Sequence, residues 1–534
     1  MSYGISPNYQ RLWSEPDLRL HRPLRTRPPS RAQISVVQYN SSMPVGETPI
    51  AKIERLLRAR DPVGALQVAN DFLEKSPGSF LARIGRCRAN LHLRNYVDAE
   101  IDIERALQLL PKDDHANLLR ANMDNRLGRI DPAIDRLRPI AQGRGPHAIE
   151  AAINLAEMYF YNGRRSDMIE MVKAGGLWTS DPRALIVRAR VRVLDDFDGG
   201  IADMTAIMRS SQPIPLRRIS GFEAVGLLDK KGRYREAFDL AREAHATTGG
   251  PCDLDEWLAP LREQLSLLAS KGRGWITPRV EPVQGVAMVV AMPRSGTTLL
   301  EQMLDRHPSI GGIGEFDGLD MLTSRLQSAP SWPQLPAALP TKLYADAQRH
   351  YLDGARQIRK AGATWTFDKS LLSWRSLPEI AATLPGTVCI HIDRDPRDMA
   401  TSQFLSYFNP MSYSWTQRFD LIRQMIEMER KIVPIALETL GFSYESFIYE
   451  DLIENPQLFA GRCLARMGLE MDERVLTPEQ NKRGAFTLSH AQVRQPINRS
   501  SIGRWKNYEW AFDSSWDKLV EQHHARRTIT PAND

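Results

Sequence analysis

The chain has 534 residues, 42% of them hydrophobic and 25% charged, so it reads as mostly globular and as more than one domain. A net charge of +6 and a pI near 9.1 suit an anionic substrate or cofactor and do not require nucleic acid. Cys87, Cys252, Cys389 and Cys463 form no CxxC pair, which argues against a disulfide scaffold or a zinc site and for buried structural thiols. No apolar run approaches the ~20 residues of a membrane span, and no secretory h-region opens the chain, so a cytoplasmic location is expected.

Residues 1–48 lack periodicity, and "RLHRPLRTRPPSR" crowds arginine and proline together. This segment is expected to be a disordered basic tail, either inert or touching an acidic partner. Residues 49–268 repeat. Turn residues and then an amphipathic helix recur six times, in "DPVGALQVANDFLEKSP", "NYVDAEIDIERALQLLP", "GRIDPAIDRLRPI", "GRRSDMIEMVKAGG", "DFDGGIADMTAIM" and "GRYREAFDLAREAH". The matching positions Ala65, Ala99, Ala133, Met168, Ile201 and Ala237 are spaced by 34, 34, 35, 33 and 36. A helical-hairpin period near 34 marks a tetratricopeptide-like array, in which stacked hairpins share one core and expose a concave surface suited to a protein partner or peptide.

Glycine and proline break the pattern in "SKGRGWITPRVEPVQG", so 269–284 reads as a linker. From 285 to 520 short apolar runs alternate with helices, as in "GVAMVVAM", "GTVCIHIDR" and "FSYESFIYEDL". That alternation predicts a mainly parallel sheet covered by helices, followed by a tail over 521–534.

The domain opens on "VVAMPRSGTTLLEQMLDRHP". Val286–Ala291 reads as a strand, Gly296 as a turn and Thr297 onward as a helix. Such a helix start presents free N–H groups to a phosphate. A nucleotide triphosphatase would show GxxxxGK[ST]; here Thr297 stands in the lysine position and the cation moves to Arg294. No strand-end acid stands out as a magnesium ligand. The loop suits one phosphate plus a second, less charged group. In "CIHIDRDPRDMATSQF", with a helix from about Pro396, Arg394 and Ser402 can face one strand end and hold a second phosphate. A salt-bridged RDPRD turn is the other reading.

Taken together, these motifs resemble the sulfotransferase family, which uses 3′-phosphoadenosine 5′-phosphosulfate (PAPS). They are most similar to protein-tyrosine sulfotransferases and to bacterial sulfotransferases with tetratricopeptide repeats. The resemblance covers about 284–510. It implies that Arg294, Ser295, Gly296, Thr297 and Thr298 cradle the 5′-phosphosulfate, and that Arg394 and Ser402 grip the 3′-phosphate. It implies that Tyr449 of "YEDLIENP" lies against the nucleotide, and that Ser489 and Arg504 of "SHAQVRQPINRSSIGRW" contact its phosphates. Glu315 of "GIGEFDG" falls at the catalytic base and Lys369 of "FDKSLLSW" at the catalytic lysine. The implied fold is an all-α helical-repeat solenoid followed by an α/β P-loop-like parallel-sheet sulfotransferase domain.

Those residue types fit sulfuryl transfer. Arg294 and Lys369 can neutralise charge on the departing phosphate oxygen. A tyrosine hydroxyl has a reference pKa of ~10, so a carboxylate such as Glu315 can serve as general base. No metal is expected. Asp317 is the fallback base. Glu315 can also be read as a helix cap and Lys369 as a partner of Asp368 or of another surface acid. His307, in the helix after the loop, reads as structural, and Trp374 and Trp505 read as core. Tyrosine-directed members carry arginines soon after the base, whereas Phe316, Asp317, Gly318 and Leu319 follow here. The acceptor therefore stays open among protein, saccharide and small molecule. A repeat scaffold with an inactive nucleotide-binding domain and a P-loop kinase are the rivals.

Overall fold

The computed structural model describes residues 47–527 except 60, 94–95, 127–128, 251, 317, 372 and 482–494. Most of the predicted N-terminal tail, together with Asp317 and Ser489, lies outside the described residues. The chain divides into two compact units between Leu155 and Ala156.

The first unit contains helices α1 (Pro49–Arg58), α2 (Pro62–Lys75), α3 (Phe80–His92), α4 (Tyr96–Leu109), α5 (Asp114–Arg126), α6 (Ile130–Gln142) and the first half of α7 (Ala148–Tyr161). Aspartates in some of the turns cap the helices. Asp61 accepts from Gly64 N–H at 2.8 Å, and Asp113 accepts from Ala116 N–H at 2.8 Å. Successive helices pack on one another through residues small enough to let backbones approach. Ala65, Ala69, Ala89, Ala99, Ala106 and Ala116 are fully buried. Arg88 Nη1 donates to Glu54 Oε1, 34 residues away, at 2.7 Å.

The second unit begins with the rest of α7 and adds α8 (Arg165–Ala174), α9 (Ala184–Asp195), α10 (Phe197–Arg209), α11 (Ile214–Lys230), α12 (Tyr234–Thr248) and α13 (Leu254–Lys271). Here Arg209 bonds Glu243, 34 residues on, at 2.6 Å. Arg190 bonds Glu157 and Glu223, each 33 residues away, at 2.6 and 2.5 Å. Side chains one period apart thus meet, as stacked hairpins require. The Arg190 side chain has no exposed surface and lies 4.1 Å from the Phe160 ring. Arg190→Met is expected to lower the unfolding free energy by about 3–5 kcal/mol, because two carboxylates lose their shared cation in a poorly hydrated place. Urea unfolding followed by circular dichroism measures this; an unchanged midpoint would refute it.

The same unit holds a parallel sheet of β1 (Val286–Val290), β2 (Ile310–Gly314), β3 (Trp365–Asp368), β4 (Val388–Asp393) and β5 (Ser443–Ile448), in the order β2-β3-β1-β4-β5. The helices that follow strands include α14 (Thr297–Leu304), α15 (Gly318–Gln327), α16 (Thr341–Ile358), α17 (Leu377–Thr383), α18 (Pro396–Phe404), α19 (Pro410–Tyr413), α20 (Phe419–Thr439), α21 (Tyr449–Glu454) and α22 (Pro456–Arg466). Ala287, Val289, Ile390, Phe367, Leu300 and Phe459 are among the buried side chains of its core. The edge strand β2 is blunted by carboxylates. Asp305 accepts from Gly312 N–H and Glu301 from Gly314 N–H, both at 2.7 Å, so these donors are satisfied without another strand.

The segment read as a linker is partly packed. α13 runs to Lys271, and Trp275 is buried with its Nε1 donating to Pro333 O at 2.8 Å. The segment read as a tail begins inside a helix, α23 (Asp517–Arg526), because its inner face carries anchors. His523 is buried, and Arg526 reaches Asp393 at 3.1 Å. His307 lies beyond α14, which stops at Leu304, and its Nδ1 accepts from Ser309 N–H at 3.1 Å. Trp374 is core as expected, whereas Trp505 is half-buried with the Arg397 guanidinium 3.5 Å from its ring centre.

Candidate active site

The ends of the five strands carry the chemistry in spatial order. Glu315 follows β2, Lys369 follows β3, the 291–296 loop follows β1, Arg394 follows β4 and Tyr449 follows β5. β1 pairs directly with β4, with Val290 beside His391, so the two predicted anion motifs leave neighbouring strands. β1 is also where the chain turns from one half of the sheet to the other, the place where open parallel sheets bind ligands.

The two motifs touch. Arg294 Nε donates to Ser402 Oγ at 2.6 Å, and Arg394 Nη1 donates to Arg294 O at 2.9 Å. Arg294 itself has a φ of +72°, a left-handed conformation that bends the loop back toward α18. Ser295 Oγ donates to Met292 O at 2.9 Å and so braces the turn. Gln403 Nε2 donates to Pro293 O at 2.8 Å and braces it from α18. Thr297 and Thr298 open α14, whose first-turn N–H groups have no partner within the helix.

Gly296 has a φ of +96°, and a Cβ there would stand 2.2 Å from Tyr449 Cδ2. The ring thus lies against the loop, with the Arg394 guanidinium 4.8 Å from its centre. Gly296→Ala is expected to cost about 2–3 kcal/mol of stability through strain and overlap, read as a lower urea midpoint. No loss of stability would mean that the ring is free to move away.

The guanidiniums of Arg294, Arg394 and Arg504 are close enough here to repel one another. Burial, then Arg394 and Arg504, push the Arg294 guanidinium down to about 9. Arg394 is buried. Asp398 is 3.6 Å away, the Arg394 Nη2 donates to Ser501 O, and among the described residues its Nε makes no hydrogen bond. Three guanidiniums and an orphaned buried donor fit a multiply charged anion. The salt-bridged reading of RDPRD applies to its second arginine. Arg397 and Asp395 form the turn's ion pair at 2.8 Å, while Arg394 turns inward.

At the other end, Lys369 Nζ donates to Glu315 Oε1 at 2.7 Å, and the Lys369 side chain is fully buried. Asp368 is not the lysine's partner. It accepts from the Tyr351 hydroxyl and the Ser370 hydroxyl, both at 2.7 Å, and burial raises its pKa to about 6. Glu315 is thus tied to the lysine predicted to act beside it, and the helix-cap reading does not account for this bond.

Residues 287–473, which carry these strand ends, match the family model described as the sulfotransferase family. They form a sulfotransferase-family domain. An uncharacterized protein of Aquifex aeolicus is 25% identical over 342 residues, covering 62% of this chain and 45% of that protein. The chain therefore spans less than half the length of that relative. Protein-tyrosine sulfotransferase 1 of Danio rerio is 24% identical over 279 residues, covering 47% of this chain and 74% of the relative. A solved sulfotransferase domain from the Synechococcus PCC 7002 olefin synthase is 19% identical, with a TM-score of 0.29, covering 45% of this chain and 98% of that one. The sulfotransferase domain from the curacin biosynthetic pathway is 18% identical, with a TM-score of 0.33 and the same two coverages.

Past the matched segment, the chain returns to helix α18 of the sheet domain. Asp398 accepts from Gly503 N–H at 2.7 Å and from Trp505 N–H at 2.9 Å, which fixes the backbone on both sides of Arg504. Asp398 stands inside the RDPRD motif, where the sequence alone assigns it no role. The signal was present, an acid on the first turn of a helix beside two arginines, but its partners lie more than a hundred residues away. The other oversight is Asp229, in the repeats, which bonds Arg504 at 2.6 Å. Nothing near it in the sequence hints at that partner.

Proposed function

We propose that the chain transfers a sulfuryl group from PAPS to a hydroxyl of an acceptor. The observation that carries this reading is the row Glu315, Lys369, Arg294, Arg394 and Tyr449 along consecutive strand ends. Arg294 with the loop to Thr298 takes the 5′-phosphosulfate; Arg394, Ser402 and Arg504 take the remaining phosphate charge, with Ser489 also assigned to it; and Tyr449 lies against the nucleotide. PAPS supplies the activated sulfur. The acceptor oxygen forms its bond to sulfur as the bond to the bridging phosphate oxygen breaks. Glu315 accepts the hydroxyl proton, and Lys369 and Arg294 neutralise the charge that gathers on the departing oxygen.

In this reading residues 285–520 are the catalytic domain, and the tetratricopeptide-like repeats of 49–268 recruit a protein partner or the acceptor. The acceptor is a protein hydroxyl, tyrosine included, a saccharide or a small hydroxylated molecule. The four cysteines are unpaired thiols, and among the described residues no helix is long and apolar enough to cross a membrane. Both support a cytoplasmic setting. The test incubates the purified chain with 35S-labelled PAPS and panels of phenols, sugars and tyrosine peptides. Label transfer to any acceptor supports the reading. Tight binding of 3′,5′-ADP without transfer to any panel would favour an inactive scaffold.

A further inference from the structure

Arg504 belongs to the last part of the chain, yet its tip is held by the repeats. Its Nη2 donates to Asp229 Oδ2 at 2.6 Å, and Asp229 lies in the final turn of α11. The second oxygen of Asp229 accepts from the Tyr508 hydroxyl, also at 2.6 Å. Tyr508 is buried against the rings of Tyr234 and Phe238 on α12, at 5.4 and 6.3 Å. The carboxylate is therefore oriented from a rigid wall. Asp398 fixes the main chain at the root of Arg504, and Asp229 fixes the guanidinium at its end.

That second fixation has a physical purpose. Arg504 is close enough to Arg294 to depress the proton affinity of its guanidinium, so the two cations repel. The Arg504 side chain is 27% exposed and has an open route to water. A long side chain in that position would swing outward, gaining rotamer freedom and escaping like charge. Asp229 opposes this through one guanidinium nitrogen, Nη2, and among the described residues Nε and Nη1 make no hydrogen bond. An oriented arginine with donors to spare binds an anion without first giving up conformational freedom.

We propose that Asp229 is a positioning residue that holds Arg504 toward the nucleotide phosphates, so that helix α11 of the repeats sets the affinity of the donor site. This rests on the reading of Arg504 as a phosphate ligand. The test is calorimetric titration of 3′,5′-ADP, and of adenosine as an uncharged control, into the full chain and its variants. Asp229→Asn should weaken 3′,5′-ADP binding about tenfold and leave adenosine unchanged. Arg504→Ala should weaken 3′,5′-ADP at least as much, and the double variant no further.

Unchanged or tighter 3′,5′-ADP binding by Asp229→Asn would overturn the proposal, as would parallel loss of adenosine or additive losses in the double variant. Full affinity in Arg504→Ala would instead remove the phosphate-ligand reading, and the proposal with it. If Asp229→Asn does not fold, Tyr508→Phe frees one side of the carboxylate and should weaken 3′,5′-ADP about threefold. In that case, unchanged binding overturns the proposal.

Discussion

Glu315→Gln is expected to slow sulfuryl transfer about a thousandfold while 3′,5′-ADP affinity stays within about twofold of the parent. Glutamine keeps the size of the side chain and an oxygen to accept the Lys369 bond seen at 2.7 Å. It cannot take a proton at neutral pH. An acceptor hydroxyl would then have to lose its proton to water, at a lower concentration of base and with poorer alignment. Single-turnover transfer rates and calorimetry on the same preparation separate the two effects. A rate within about threefold of the parent would take the general-base role away from Glu315.

Lys369→Met is expected to reduce transfer by about a thousandfold through a different term. The Lys369 side chain is fully buried, so its charge acts where water cannot screen it. Methionine has a similar reach and keeps the packing, but it leaves the departing oxygen with one cation fewer. Glu315 keeps access to water, its side chain being 22% exposed, so folding survives. Because each side chain fixes the other, the Glu315→Gln and Lys369→Met losses should not add; the loss in the double variant should lie well below the product of the single losses. Multiplicative losses would mean that the pair does not act as a unit.

Much of the sheet domain was legible because local signals agreed there. The apolar runs of β1, β4 and β5, the glycine of the first turn and the proline opening α18 each mark an element without help from distant residues. β2 and β3 were not read. "IGGIG" has little β propensity, and its two donors are satisfied by Asp305 and Glu301 from outside the sheet. β3 spans only Trp365–Asp368, too short to show a period. The period of the repeats was plain, since small residues at hairpin contacts recur by necessity. What sequence could not carry was the pairing of groups far apart in the chain. Arg294 with Ser402, Lys369 with Glu315 and Arg504 with Asp229 are 108, 54 and 275 residues apart.

The contacts of α12 bear on how this protein can be cut. Phe238 packs its ring 4.9 Å from Phe404 and 5.5 Å from Phe419, and His245 Nε2 lies 2.8 Å from Phe404 O. A shortened protein starting at 285 would expose those phenylalanines and lose the acid that holds Arg504. Cutting at the glycine- and proline-rich junction would therefore separate the sheet domain from the helices it packs against.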